Sequence, residues 1–179
     1  VPDGTTLVLT INRELQASTE QILDQSLYNY GAESGTIIVM DPKNGEILAM
    51  ASTPRLNLDN YSQYDQIFNS ASEYNRAINM PYEPGSVFKI LTMAAALDMG
   101  IVTPQTTYVD IGSFSINGTV IRNWDQGAWG LQDMTGCLRH SLNVCMAWIA
   151  TEMGTDNFYD YMSNFGIGHP TGIDLSGEA

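Results

Sequence analysis

Ser86 and Lys89 are the two residues of this chain whose types and spacing could do chemistry together. They open its most apolar stretch, Val87-Phe88-Lys89-Ile90-Leu91-Thr92-Met93-Ala94-Ala95-Ala96-Leu97. Helical residues three positions apart share a face, so the Lys89 amine can approach the Ser86 hydroxyl. An ammonium inside an apolar helix is expensive to keep charged, and desolvation lowers its pKa toward the neutral base. A neutral amine beside a hydroxyl, both in a dry pocket, is what an activated serine nucleophile requires. The alternatives are an N-capping Ser86 that follows Pro84 and Gly85, and a Lys89 that snorkels to water. Ser141-Leu142-Asn143 is a second candidate, because alternate residues between two helical stretches can project into one cleft. Alone it is a weak signal, and N-capping is the default for Ser141 or Asn143; its weight comes from the first pair.

The elements that must hold these residues alternate between strand and helix without a βαβ rhythm, which predicts a mixed α/β chain. Thr5 to Ile11 reads as a strand. Asn12 then caps a helix whose Leu15, Ile22, Leu23, Leu27 and Tyr30 recur at helical spacing, ending near Gly31. Thr36 to Met40 and Glu46 to Ala51 form a hairpin around Asp41-Pro42-Lys43-Asn44-Gly45, with both arms apolar enough to lie in a sheet covered on both faces. A long polar connection from Thr53 to Gly85 includes one short helix around Tyr61 to Ser70. The segment Ser86 to Met99, stopped by Gly100, is apolar nearly all round and belongs inside the domain. A second hairpin joins Ser113 to Ile116 with Thr119 to Ile121 through Asn117-Gly118, a type I′ signal. The stretch from Asn123 to Gly130 is a loop anchored by Trp124 and Trp129. Helices follow at Gln132 to His140, Asn143 to Met153 and Asp156 to Asn164.

Composition removes several functions. Seven Lys and Arg face twenty Asp and Glu, a formal charge of −13. Nucleic acid is bound by clustered cations that release counterions, and none cluster here; a basic membrane-surface helix is excluded on the same ground. Hydrophobic residues make up 44% of the chain, enough for a sizeable core. No apolar run approaches the roughly 18 to 20 residues of a membrane span, and Val1 opens no signal peptide. His140 and His169 lack metal-ligand spacing with each other or with the cysteines. His140, beside Ser141, reads as a partly exposed helix-end residue rather than a general base. The carboxylates are scattered, and phosphate-binding glycine loops are absent. Cys137 and Cys145 would lie about 12 Å apart along a continuous helix, which predicts free thiols unless the chain bends sharply between them.

Ser86-Val87-Phe88-Lys89 followed by Ser141-Leu142-Asn143 resembles the S-x-x-K and S-x-N motifs of the penicillin-binding transpeptidases. The hairpin from Asp41 to Ser52 looks like that family's first sheet hairpin. Asn75-Arg76-Ala77 with Tyr82-Glu83-Pro84-Gly85-Ser86 looks like its approach to the nucleophile, and Thr171-Gly172-Ile173-Asp174-Leu175-Ser176-Gly177-Glu178 like its T-G-I-D-L-P-G-E segment. The resemblance spans the whole chain and is closer to the monofunctional class B enzymes than to the bifunctional ones.

It implies an α+β transpeptidase fold, an antiparallel sheet with a helical subdomain, of which residues 1–179 form the N-terminal portion. The family's K-T-G strand lies downstream of the T-G-I-D-L segment, so the resemblance implies a sheet and cleft completed beyond Ala179, and weak or no activity for this piece alone. The activity it implies is peptidoglycan cross-linking through a serine acyl-enzyme. Ser86 is then the nucleophile, Lys89 its base, Ser141 a proton relay and Asn143 a substrate-amide ligand, with no metal or organic cofactor. Implied partners are peptidoglycan stem peptides, β-lactams and cell-division or elongation proteins. The implied location is the extracytoplasmic face of the bacterial membrane, with an N-terminal anchor that this chain lacks. Alternatives on the same fold are a serine β-lactamase or β-lactam sensor, where a class D enzyme would carry S-x-V, and a non-catalytic binding module.

Overall fold

A computed structural model describes residues 4–67, 75–175 and 177–178. The chain divides into two compact units, Val1–Pro81 with Ile173–Ala179, and Tyr82–Gly172.

In the first unit, Asn12 does what its type predicts: its Oδ1 accepts the Leu15 N–H at 2.9 Å and starts α1, Arg13–Tyr30. Gly31 ends the helix in left-handed backbone at φ 63°. The first hairpin pairs β1, Thr36–Met40, with β2, Ile47–Ser52, from Thr36↔Ser52 to Met40↔Ile47. Helix α1 lies against β2 and buries Thr19 and Leu23.

The strand expected over residues 5–11 does not form, and Leu7, Val8 and Leu9 stand exposed. The groups on β2 with which it would pair are already taken. Thr10 Oγ1 donates to Ile47 O, Asn12 N–H to Leu48 O, and the Gln16 amide bridges both the N–H and C=O of Met50. The hairpin is also less covered than its composition implies. Ile38 and Met40 remain exposed, because β1 and β2 form a two-stranded sheet among the described residues. Further along lie a 3₁₀ segment, Leu58–Gln63, and the short helices α2, Tyr64–Ile67, and α3, Arg76–Asn79. The helix expected at Tyr61 to Ser70 overlaps the first two, and its end falls outside the described residues.

The second unit is built around α6, Asn143–Met153, which buries Val144, Cys145, Met146, Ile149 and Met153. Helix α4, Lys89–Asp98, packs on it through Met93, Ala95 and Ala96. Alanines at the contact let the two backbones approach closely. Helix α4 is not buried all round: Ile90 is 64% exposed and Leu97 39%, so one face only joins the core. The remaining helices are α5, Met134–Arg139, and α7, Thr155–Asn164.

Strands β4, Ser113–Ile116, and β5, Thr119–Arg122, form the second hairpin, with Asn117 at φ 48° and Gly118 at φ 82° as a type I′ turn demands. A pairing that the pattern does not reveal joins β3, Thr107–Asp110, to β6, Gly130–Asp133. Gly-Leu-Gln-Asp has little strand character of its own, and its partner lies some twenty residues upstream.

The cysteines correct another expectation. Cys137 and Cys145 form a disulfide with their Cα atoms 6.0 Å apart. The helical spacing that would separate them does not run through: α5 stops at Arg139, Ser141 turns left-handed at φ 54°, and α6 restarts at Asn143. This reversal folds the second cysteine back onto the first.

Candidate active site

Gly85 begins a 3₁₀ turn, Gly85–Phe88, that runs directly into α4. Its φ of 61° is the one conformation in the approach to Ser86 that favours glycine. Ser86 does not cap this turn. Pro84 occupies the cap position, and no side chain supplies a capping bond. The Ser86 hydroxyl is therefore not committed to the backbone by that role.

Lys89 does not snorkel to water. Its Nζ lies 2.6 Å from Ser141 O, 2.9 Å from Ser141 Oγ and 3.3 Å from Ser86 Oγ. The carbonyl can only accept, whereas each hydroxyl can donate or accept. An ammonium is thus satisfied by donating to all three. A neutral amine is satisfied equally well by donating to Ser141 O and Oγ and receiving the Ser86 proton on its lone pair. Both protonation states fit the same heavy-atom positions, so a proton can pass from Ser86 to Lys89 without rearranging the site. Burial lowers the Lys89 pKa from its ordinary value, in the direction that favours the amine. The dry pocket expected around the pair is only half present within this unit: Lys89 is half-buried, but Ser86 is exposed at the outer end of its turn.

Ser141 reaches Lys89 because of how α5 ends. Its N–H donates to Leu138 O at 3.0 Å, and the Leu142 N–H donates to Cys137 O at 2.9 Å. These are the paired bonds of a Schellman termination, whose left-handed position is usually glycine. Here a serine takes it, at a cost of about 1–2 kcal/mol for the side chain in that conformation. Strain of this kind persists where the surroundings over-determine it. Leu142, wholly buried, and the disulfide beneath it provide that constraint.

Asn143, the first residue of α6, sits half-buried and donates from Nδ2 to Arg122 O at 2.9 Å. The structure therefore brings Ser86, Lys89 and Ser141 into one hydrogen-bonded group and sets Asn143 two residues along the chain. His140 ends α5 half-buried and stacks on Trp129 with ring centroids 4.2 Å apart, as a helix-end residue. Among the described residues, no cluster of His, Cys, Asp and Glu could hold a metal ion, and no helix is long and apolar enough to cross a membrane.

Sequence reasoning missed the polar residues behind Asn143. Asp110, 1% exposed, and Asn123, 2% exposed, are joined at 2.6 Å in the interior of the unit. An acid flanked by β-branched residues in Tyr108-Val109-Asp110-Ile111-Gly112 was the available signal.

A family profile described as penicillin binding protein transpeptidase domain matches residues 35–179. Stage V sporulation protein D of Bacillus subtilis (strain 168) is 36% identical over 181 residues, covering 98% of this chain and 27% of that protein. Peptidoglycan D,D-transpeptidase MrdA of Escherichia coli (strain K12) is 32% identical over 185 residues, covering 98% of this chain and 28% of that protein. Among solved structures, penicillin binding protein 3 from Mycobacterium tuberculosis complexed with aztreonam superposes with a TM-score of 0.87 at 29% identity. That match covers 98% of this chain and 39% of the other. The α+β arrangement is thus that of part of a penicillin-binding transpeptidase domain. The chain spans about a quarter of the length of the curated relatives it matches.

Proposed function

Because this chain belongs to the penicillin-binding protein transpeptidase family, of the class B type, we propose that it carries the nucleophile half of a peptidoglycan D,D-transpeptidase site. Ser86 Oγ attacks the carbonyl carbon between the two terminal D-alanines of a stem peptide, and its proton passes to Lys89 Nζ. The C–N bond of the tetrahedral intermediate then breaks. Free D-alanine leaves with a proton delivered from Lys89 through the Ser141 hydroxyl, and an ester remains on Ser86. An amine from a neighbouring stem peptide attacks that ester and loses its proton along the same route. The new amide is the cross-link, and Ser86 recovers its hydroxyl proton. A β-lactam enters the same first step, its ring amide taking the place of the D-alanyl bond.

Asn143 binds the substrate. Its Nδ2 is engaged with Arg122 O, which leaves Oδ1 to accept a peptide N–H. No metal or organic cofactor takes part. The protein works at the extracytoplasmic face of the bacterial membrane, with peptidoglycan as substrate and the division or elongation machinery as company.

The observation that carries this reading is the position of Lys89 Nζ, within hydrogen-bond reach of both Ser86 Oγ and Ser141 Oγ. The test is covalent labelling of the full-length protein with fluorescent penicillin, followed by peptide mapping. The label is expected on Ser86 and absent from Ser86→Ala. Equal labelling of Ser86→Ala and wild type would refute the assignment.

A further inference from the structure

Behind the Ser141–Asn143 turn lies a buried polar chain that the mechanism above does not use. Asp110 Oδ1 accepts the Gly112 N–H at 2.8 Å, and Oδ2 accepts from Asn123 Nδ2 at 2.6 Å and from the Trp129 N–H at 3.3 Å. Asn123 Nδ2 also donates to Gly127 O at 3.0 Å, while its Oδ1 accepts the Val144 N–H at 3.3 Å. One residue earlier on β5, Arg122 O accepts from Asn143 Nδ2. The end of β5 therefore holds two consecutive residues, 143 and 144, by two different groups.

We propose that Asn123, braced by Asp110, is a positioning residue that sets the Ser141–Asn143 segment against Lys89. The carboxylate has only acceptors, so it admits only the NH₂ end of the Asn123 amide and turns the Oδ1 end toward α6. That end meets one of the N–H groups that a helix leaves without an internal partner in its first turn. Leu142, at the N-cap position of α6, provides no side-chain cap. Asn123, the residue just past β5, supplies that bond and so ties the start of α6 to the end of the second hairpin. A buried carboxylate is costly to desolvate and adds little stability over an apolar filling. What it adds here is a fixed amide orientation whose bonds end next to Ser141. Gly112, at φ 82°, packs closely against the same loop, where an added Cβ would lie 3.1 Å from Gly127 O.

The inference rests on Ser86 being the acylated nucleophile. It is tested in the full-length protein by the time course of fluorescent penicillin labelling, with Ser86→Ala in parallel. Asn123→Ala is expected to reach full labelling at a rate at least tenfold below wild type. A merely destabilised variant would instead label a smaller fraction at the wild-type rate. If Asn123→Ala does not fold, Asp110→Asn/Asn123→Leu, which removes the buried charge with its partner, serves in its place with the same expected slowing.

Amide exchange gives a readout independent of activity. In the variant, residues 142–146 are expected to exchange at least tenfold faster while α4 and α7 are unchanged. Labelling within twofold of the wild-type rate, or unchanged exchange over 142–146, overturns the proposal. Loss of the Ser86 assignment itself is recognised separately, by wild-type label mapping elsewhere, and the exchange arm still judges Asn123.

Discussion

Replacing Ser141 by glycine and by alanine separates its backbone role from its hydroxyl role. Both variants lose the 2.9 Å contact between Oγ and Lys89 Nζ and keep the 2.6 Å contact through the carbonyl. Loss of one such bond costs about 1 kcal/mol. Alanine keeps the side-chain penalty of the left-handed backbone at φ 54°, so Ser141→Ala should be about 1 kcal/mol less stable than wild type. Glycine relieves about 1–2 kcal/mol of that penalty and gives back roughly 0.5–1 kcal/mol through its freer unfolded chain. Ser141→Gly should therefore lie near wild type. The two variants then differ by about 1 kcal/mol, or some 2–4 °C in thermal midpoint for a domain of 150–250 residues. In the proposed mechanism cross-linking should nonetheless fall in both by about 100-fold or more, because the relay assigned to Ser141 is gone. The assay pairs thermal unfolding of the full-length protein with release of D-alanine from a stem-peptide substrate. Equal destabilisation of the two variants would refute the strained-turn reasoning, and undiminished D-alanine release from either would refute the relay.

Removing the disulfide by Cys137→Ala/Cys145→Ala should lower unfolding stability by about 2.5 kcal/mol, the chain-entropy value for a loop closed across eight residues; an unshifted denaturant midpoint would contradict this. Lys89→Met should abolish penicillin acylation and should also reveal the sign of the lysine's linkage. The folded pKa of Lys89 lies below its ordinary value, so between the two the unfolded chain binds the extra proton and stability rises with pH. The stability of wild type relative to Lys89→Met should therefore grow as pH rises through the interval just below the ordinary lysine range, and a constant or shrinking difference would exclude a depressed pKa.

The geometry of the candidate site was legible where it depends on local spacing. Ser86 and Lys89 meet because residues three apart on a helical turn share a face, and Asn12, Gly31, Asn117 and Gly118 act where their backbone preferences place them. What the sequence concealed depends on competition and on distant pairing. Thr5 to Ile11 has strand composition, yet Asn12 and Gln16 occupy the edge it would need, and Thr10 meets that edge through its side chain. Cys137 and Cys145 look separated until the helix is seen to break at a serine doing the work of a glycine. Asn123 looks like a loop residue because its partners, Asp110 and the Val144 N–H, come from opposite directions along the chain. Exposure followed the same division. Ile90 and Leu97 are apolar, but which face of α4 is covered depends on what packs there.

The proposed acyl transfer depends on Lys89 serving as the neutral base for Ser86, and the protonation state of that one amine is measurable. NMR titration of the Lys89 side chain in the full-length protein, assigned with Lys89→Met, should show the amine losing its proton below the ordinary lysine range. The rate of Ser86 acylation should rise with pH through the same midpoint. A Lys89 that remains an ammonium throughout the pH range in which Ser86 is acylated would contradict the account.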